Sequence, residues 1–135
     1  MTRQRNTKLD GLQLRANLLV KTTPVTKTTA SAVTYTASEA ASGIILRDPN
    51  GAGRADLFPT AADLYTELGN PEVGSAFELI IRNTADADET ITMTTNTGLT
   101  LSGTMTIAQN NTKRFLVVFT SASAVTIYSL GTVVH

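Results

Sequence analysis

The sequence predicts a mainly β fold: an antiparallel β-sandwich, jelly-roll-like, with two short helices and an extended N-terminal arm. Three observations lead there. Hydrophobic residues make up 41% of the chain, but they are mostly Ala, Val, Leu and Ile, with no Trp, while threonine recurs throughout; β-branched side chains suit a pleated, half-buried surface. From Phe77 onward, apolar and polar residues alternate in short runs separated by turn-like clusters, which is the period of strands with one buried face. Before about residue 33 no period is sustained. At 135 residues the chain is about one domain, long enough to bury a core without a metal or a disulfide.

The elements follow in order. Residues 1–32 read as an extended basic arm: Leu9, Leu12, Leu14, Leu18, Leu19 and Val20 are apolar, but Gly11 and the run "KTTPVTKTTASA" interrupt any helix. Leucines in such a segment imply that part of it is covered by another surface. Residues 33–135 read as the sandwich domain. "VTYT" is a short strand; in "TASEAASG", Thr36 and Glu39 have capping-box spacing and Gly43 suits a helix stop.

"IILR" is an apolar strand, "DPNGAG" a turn, and "PTAADLYTELG" a second short helix ended by Gly69, with Leu64 and Leu68 four residues apart on one face. After "NPEVG" come the alternating runs around Phe77–Ile81, Ile91–Met93 and Leu99–Ile107, then "RFLVVFT" and "VTIYSLGTVV". The turns between them are "TADADET", "NTG", "AQNNTK" and "SASA". Six or seven short strands at regular spacing describe a sandwich or small barrel.

Composition narrows the chemistry. With no cysteine, disulfides, thiolate metal sites and thiol nucleophiles are excluded together. The one histidine is His135, the last residue of the sequence, a poor position for proton transfer, which needs fixed geometry. No GxxxxGK[ST], GxSxG or HExxH pattern occurs. Asp86, Asp88 and Glu89 are the tightest acidic group, and in a strand connection they read as solvated turn residues. We therefore expect no enzyme activity, no cofactor and no small-molecule substrate.

No window approaches the roughly 18 apolar residues of a membrane span, and the basic start lacks a signal-peptide apolar run. We expect no membrane partner and a cytoplasm-like compartment, or a particle assembled there.

Charge is unevenly distributed. Arg3, Arg5, Lys8, Arg15, Lys21 and Lys27 face Asp10 alone over residues 1–27, a net +5, and the other five bases and ten acids give −5. Such an arm suits an acidic protein surface or a nucleic acid. Nucleic acid is the lesser expectation, since no aromatic residue is interleaved to stack on bases.

The densest group of oxygen side chains and glycines is "ILRDPNGAGRADLFPTAADLYTEL", Ile45 to Leu68. Counted from Asp48 against a calcium loop, position 3 is Asn50 but position 5 is Ala52 and position 12 is Pro59, so two needed ligands are missing. As a phosphate cradle, Gly51 and Gly53 lack a following Lys-Ser/Thr. Asp-Pro-Asn-Gly is turn chemistry, joining two strands ahead of a helix begun by Pro59 and Thr60.

The order of the phrases "SGIILRDPNGAGRADLFPTAADLYTEL", "VGSAFELIIRNTADADETITM", "GLTLSGTMTI", "RFLVVFT" and "VTIYSLG" resembles a β-sandwich module of small structural proteins of tailed bacteriophages. The family is the capsid decoration, cement or head-stabilising proteins; related modules occur in other virion proteins. The resemblance spans roughly Ser42 to Gly131 and implies a non-enzymatic homotrimer at a capsid symmetry axis. It also implies the major capsid protein as partner and the virion surface, assembled in the host cytoplasm, as location.

On this reading the arm residues Arg3, Arg5, Lys8, Leu9, Leu12, Leu14, Arg15, Leu18 and Leu19 are candidates for capsid binding. Arg54 and Phe58 are candidates for contact with a subunit or the capsid. The alternative from another class is a receptor- or glycan-binding tip of a tail fibre or spike, with loops such as "AQNNTK" or "NGAGRAD" at the host surface; few tyrosines argue against it, since sugar sites stack aromatic rings.

Overall fold

A computed structural model describes residues 22–135. Among these, nine strands and two helices form: β1 (Val25–Lys27), α1 (Ala37–Ala41), β2 (Ile44–Arg47), β3 (Arg54–Leu57), α2 (Ala61–Glu67), β4 (Ala76–Asn83), β5 (Ile91–Thr94), β6 (Leu99–Ser102), β7 (Thr106–Ile107), β8 (Asn111–Ser121) and β9 (Ala124–Val134). The fold is mainly β, as the alternating runs require.

Both helices begin where the sequence places them. The Thr36 hydroxyl accepts from the Glu39 amide at 3.1 Å and the Glu39 carboxylate accepts from the Thr36 amide at 3.0 Å, satisfying two donors that a helix start leaves orphaned. Glu39 also pairs with Lys27 at 2.6 Å, tying α1 to β1. Thr60 caps α2 through Asp63 N at 3.1 Å. Leu64 is buried; Leu68, expected on the same face, caps the last turn and is exposed.

The strands make two sheets. One is six-stranded in the order β1-β2-β4-β8-β9-β6, the other three-stranded in the order β3-β5-β7. The expectation of an all-antiparallel arrangement is corrected: β1 with β2, β2 with β4, β3 with β5 and β6 with β9 are parallel. Only β4 with β8, β8 with β9, and β5 with β7 run antiparallel. The cause is that the chain alternates between sheets: β3 and α2 intervene between β2 and β4, and a long crossover returns the strand in the same direction.

Period-2 alternation reports which face is buried, and the core follows it. Leu79 and Ile81 of β4, Phe115, Val117 and Phe119 of β8, and Val125 and Ile127 of β9 join Ile91, Met93 and Ile107 of the smaller sheet in one cluster. Ala37, Ala40, Ala61 and Leu64 complete it from the helices.

Gly98 shows why that loop needs a glycine. Its φ is +81°, and a Cβ there would stand 2.4 Å from the Ser123 carbonyl oxygen and 2.7 Å from the Ala61 Cβ, both inside van der Waals contact.

Val25–Lys27, within the segment read as an arm, pair with Ile45–Arg47 at the edge of the larger sheet. Thr-rich, Pro-containing sequence disfavours helix, but an extended segment can still add to a sheet edge.

Candidate functional site

Asp48 to Asp56, the stretch richest in oxygen side chains, is consumed by its own fold. The Asp48 carboxylate accepts from the Asn50 amide at 2.9 Å, an Asx turn that carries Asn50 and Gly51 into positive φ, 56° and 101°. The Asn50 side-chain amide donates to the Thr28 carbonyl at 3.0 Å, and the Gly51 amide donates to Glu89 Oε1 at 2.6 Å. Arg54 donates to the Pro49 carbonyl at 3.2 Å. Among the described residues no three His, Cys, Asp or Glu side chains converge as metal ligands.

Beneath this loop lies a polar centre that sequence reasoning missed. Arg47 and Asp56 are both wholly buried, with Arg47 Nε 2.7 Å from Asp56 Oδ2 and a second nitrogen 3.3 Å from Oδ1. The remaining guanidinium hydrogens go to the carbonyls of Thr29 (2.9 Å), Asp48 (2.7 Å) and Ser31 (2.8 Å). Asp56 in turn accepts from the Tyr35 hydroxyl at 2.9 Å and the Val33 amide at 3.1 Å. Burial and the Asp56 carboxylate push the Tyr35 phenol far above its ordinary range, because both disfavour a phenolate.

A signal for this centre existed. Arg47 is two residues from Ile45, and in a strand that spacing puts both on the buried face. The chemistry that follows is structural: with no solvent access, the group clamps Thr29–Tyr35 onto β2 and β3 and offers nothing to a substrate.

Two more buried polar side chains act in the same way. Asn83 donates to the Glu89 and Ile107 carbonyls at 2.7 and 2.9 Å and accepts from Ala85 N at 3.0 Å. Lys113, whose ammonium pKa is lowered by burial, donates to the Thr104 carbonyl at 2.8 Å. Glu89, read from sequence as a solvated turn residue, is corrected to a buried one that holds Gly51; Asp86 and Asp88 beside it are exposed.

A cleft of about 560 Å³ lies between the starts of the two helices. Thr36, Ser38, Thr60 and Asn96 line it with hydroxyl and amide groups, and Asp63 and Glu67 with carboxylates. His135 does not line it; its Nδ1 stands 3.2 Å from an Arg82 nitrogen.

Of the residues singled out by sequence, Arg3, Arg5, Lys8, Leu9, Leu12, Leu14, Arg15, Leu18 and Leu19 lie outside the described residues. Arg54 is partly exposed, with its guanidinium on the loop carbonyls. Phe58 is corrected: it is a core residue, edge-to-face with Phe115 at 5.4 Å and 82°, and is closed to any partner. A large aromatic following a strand is drawn inward by the area it buries.

Of the six exposed large apolar side chains among the described residues, Leu68 and Val73 lie at and after the end of α2, and Tyr128, Leu130, Val133 and Val134 lie on β9 from its middle to its end. The alternation in "VTIYSLGTVV" concealed them, because the register shifts between Arg114 and Phe115 and carries β9 past the core. Comparison with family models, curated protein sequences and solved structures returns no match.

Proposed function

We propose that this protein is a non-enzymatic structural protein of a bacteriophage virion, a decoration or cement protein built on a β-sandwich module. In this reading it assembles as a homotrimer, binds the major capsid protein on the outer head surface, and stabilises contacts between capsomers. The observation that carries the reading is the division of the side chains. The buried Arg47–Asp56 pair, Glu89 and Lys113 each bond within the fold, while four of the six exposed large apolar side chains among the described residues lie on β9 from Tyr128 to Val134, as on a surface made to be covered.

The basic arm adds an electrostatic contact, and three linked copies convert weak individual contacts into avidity. Purified heads lacking the protein, mixed with the full chain and with an Arg3→Glu/Arg5→Glu/Lys8→Glu variant, test this. Saturable binding that the variant weakens supports it; absence of binding by the full chain sinks it.

The cleft between the helices favours a second reading, a receptor- or glycan-binding tip, because hydroxyl and amide groups there match a sugar's hydrogen bonding. Labelling intact particles separates the two, since a decoration protein covers the head and a tip is confined to the tail or spike.

A further inference from the structure

β9 has an open edge. β6 pairs with Val125–Tyr128 and stops there; at Gly103, φ +97°, the chain turns away, and a Cβ on it would meet Ser129 at 3.0 Å. Gly131 to Val134 are paired with β8 on one side, with Leu130 the extra residue at the register shift, and this stretch meets no strand among the described residues on the other side. The same stretch carries Val133 and Val134, 61% and 75% exposed. A bare edge with apolar side chains is a template for another strand.

This chain also contains a segment suited to that edge. Locally, Leu12, Leu14, Ala16 and Leu18 alternate with Gln13, Arg15 and Asn17, and the run ends in the apolar residues Leu18, Leu19 and Val20; the first seven residues have the alternation of a short strand with one apolar face. Val20, the last residue of the segment, cannot reach the edge of its own molecule, so the segment as a whole cannot lie along it. Thr22 lies against Gly43, beside the start of β2, and the sheet order sets β9 four strands from β1, about 19 Å across at normal strand spacing. Val20 stands two residues before Thr22, a reach of roughly 7 Å at full extension.

We propose that residues 12–20 add as a strand to the Leu130–Val134 edge of a second copy of this chain, so that copies are joined by exchanged arms. Each copy holds one donor strand and one acceptor edge, so a closed ring leaves neither uncovered. Arg3, Arg5 and Lys8 precede the exchanged segment and remain available to another surface. The inference concerns copies of this chain alone and does not rest on the capsid reading.

The test uses the full chain. Native mass measurement should show an oligomer, and both Leu14→Asp/Leu18→Asp and Leu130→Lys/Val133→Lys should reduce it to monomer, with circular dichroism and thermal unfolding confirming that each variant folds. Because the chain has no cysteine, Ala16→Cys and Val133→Cys chains of distinguishable mass can be mixed and oxidised. A disulfide-linked pair of one of each is expected. A monomeric full chain overturns the proposal, as does a mass that either double variant leaves unchanged, or a crosslink that forms only within one chain when both cysteines are placed on it.

Discussion

Replacing Asp56 by Asn leaves the shape of the buried centre intact and removes its negative charge, so it isolates the electrostatic role of the pair. Arg47 then remains wholly buried with carbonyl oxygens of Thr29, Ser31 and Asp48 as acceptors and no counterion. Removing one partner of a buried ion pair costs about 3–5 kcal/mol. Set against the roughly 5–15 kcal/mol that holds a typical domain folded, that is a large share, equivalent to a fall in Tm of about 10 °C or more.

Urea unfolding of native, Asp56→Asn, Arg47→Met and the double variant gives the coupling directly. The double variant should be destabilised by several kcal/mol less than the sum of the singles, because each single leaves one buried charge uncompensated and the double variant leaves none. Hydrogen exchange supplies an independent reading. The Tyr35 amide bonds to the Leu57 carbonyl and the Leu57 amide to Val33, so both should exchange faster in Asp56→Asn. A loss under about 1 kcal/mol, or additivity of the two singles within about 0.5 kcal/mol, would refute the reasoning.

Other outcomes follow from single contacts. Tyr35 holds its proton in the fold at pH values where the unfolded chain loses it. The stability it contributes is complete below about pH 10 and falls above it by up to about 1.4 kcal/mol per pH unit; the loss should be absent from Tyr35→Phe in unfolding measured across that range. Gly98→Ala should cost at least about 2 kcal/mol by thermal unfolding, from left-handed backbone together with overpacking against Ser123 and Ala61. Gly51→Ala, with open space around it, should cost only the backbone part, about 1–2 kcal/mol. Thr60→Ala removes one cap of a short helix and should cost about 1 kcal/mol. Glu89→Ala frees the Gly51 amide and should speed proteolysis within residues 48–53 while leaving the core strands protected against exchange.

What could be read from sequence was what is local. The capping box needs two residues three apart, Thr36 and Glu39; the Asp-Pro-Asn-Gly turn needs four in a row; strand faces need alternate positions. These appear where expected because each is decided within one turn or one strand. Strand direction was not legible: alternation in "FELIIR" is the same whether the neighbour runs parallel, as β2 does, or antiparallel, as β8 does. Nor was the pairing of Arg47 with Asp56, which the topology brings together across two sheets. The partner of Asp56 sits on the strand before the loop, nine residues back, and Phe58 looked like a surface contact because it follows that loop.

The clamp bears on how the arm can act as a tether. β1 pairs through only three residues, and so short an edge strand would fray if it alone anchored a segment pulled by a partner. Immediately after it, however, the Thr29 and Ser31 carbonyls are held by Arg47, and the Val33 amide and Tyr35 hydroxyl by Asp56. These bonds run from the arm's root into β2 and β3, and β2 is itself paired to β4 in the middle of the larger sheet. A pull on residues before Thr22 is therefore borne by strands whose loss would unfold the domain. That arrangement gives a reason to bury an ion pair at the root of an arm, where an apolar pair of equal volume would pack as well: the guanidinium fork and the carboxylate bind backbone groups of an irregular segment, and apolar side chains cannot.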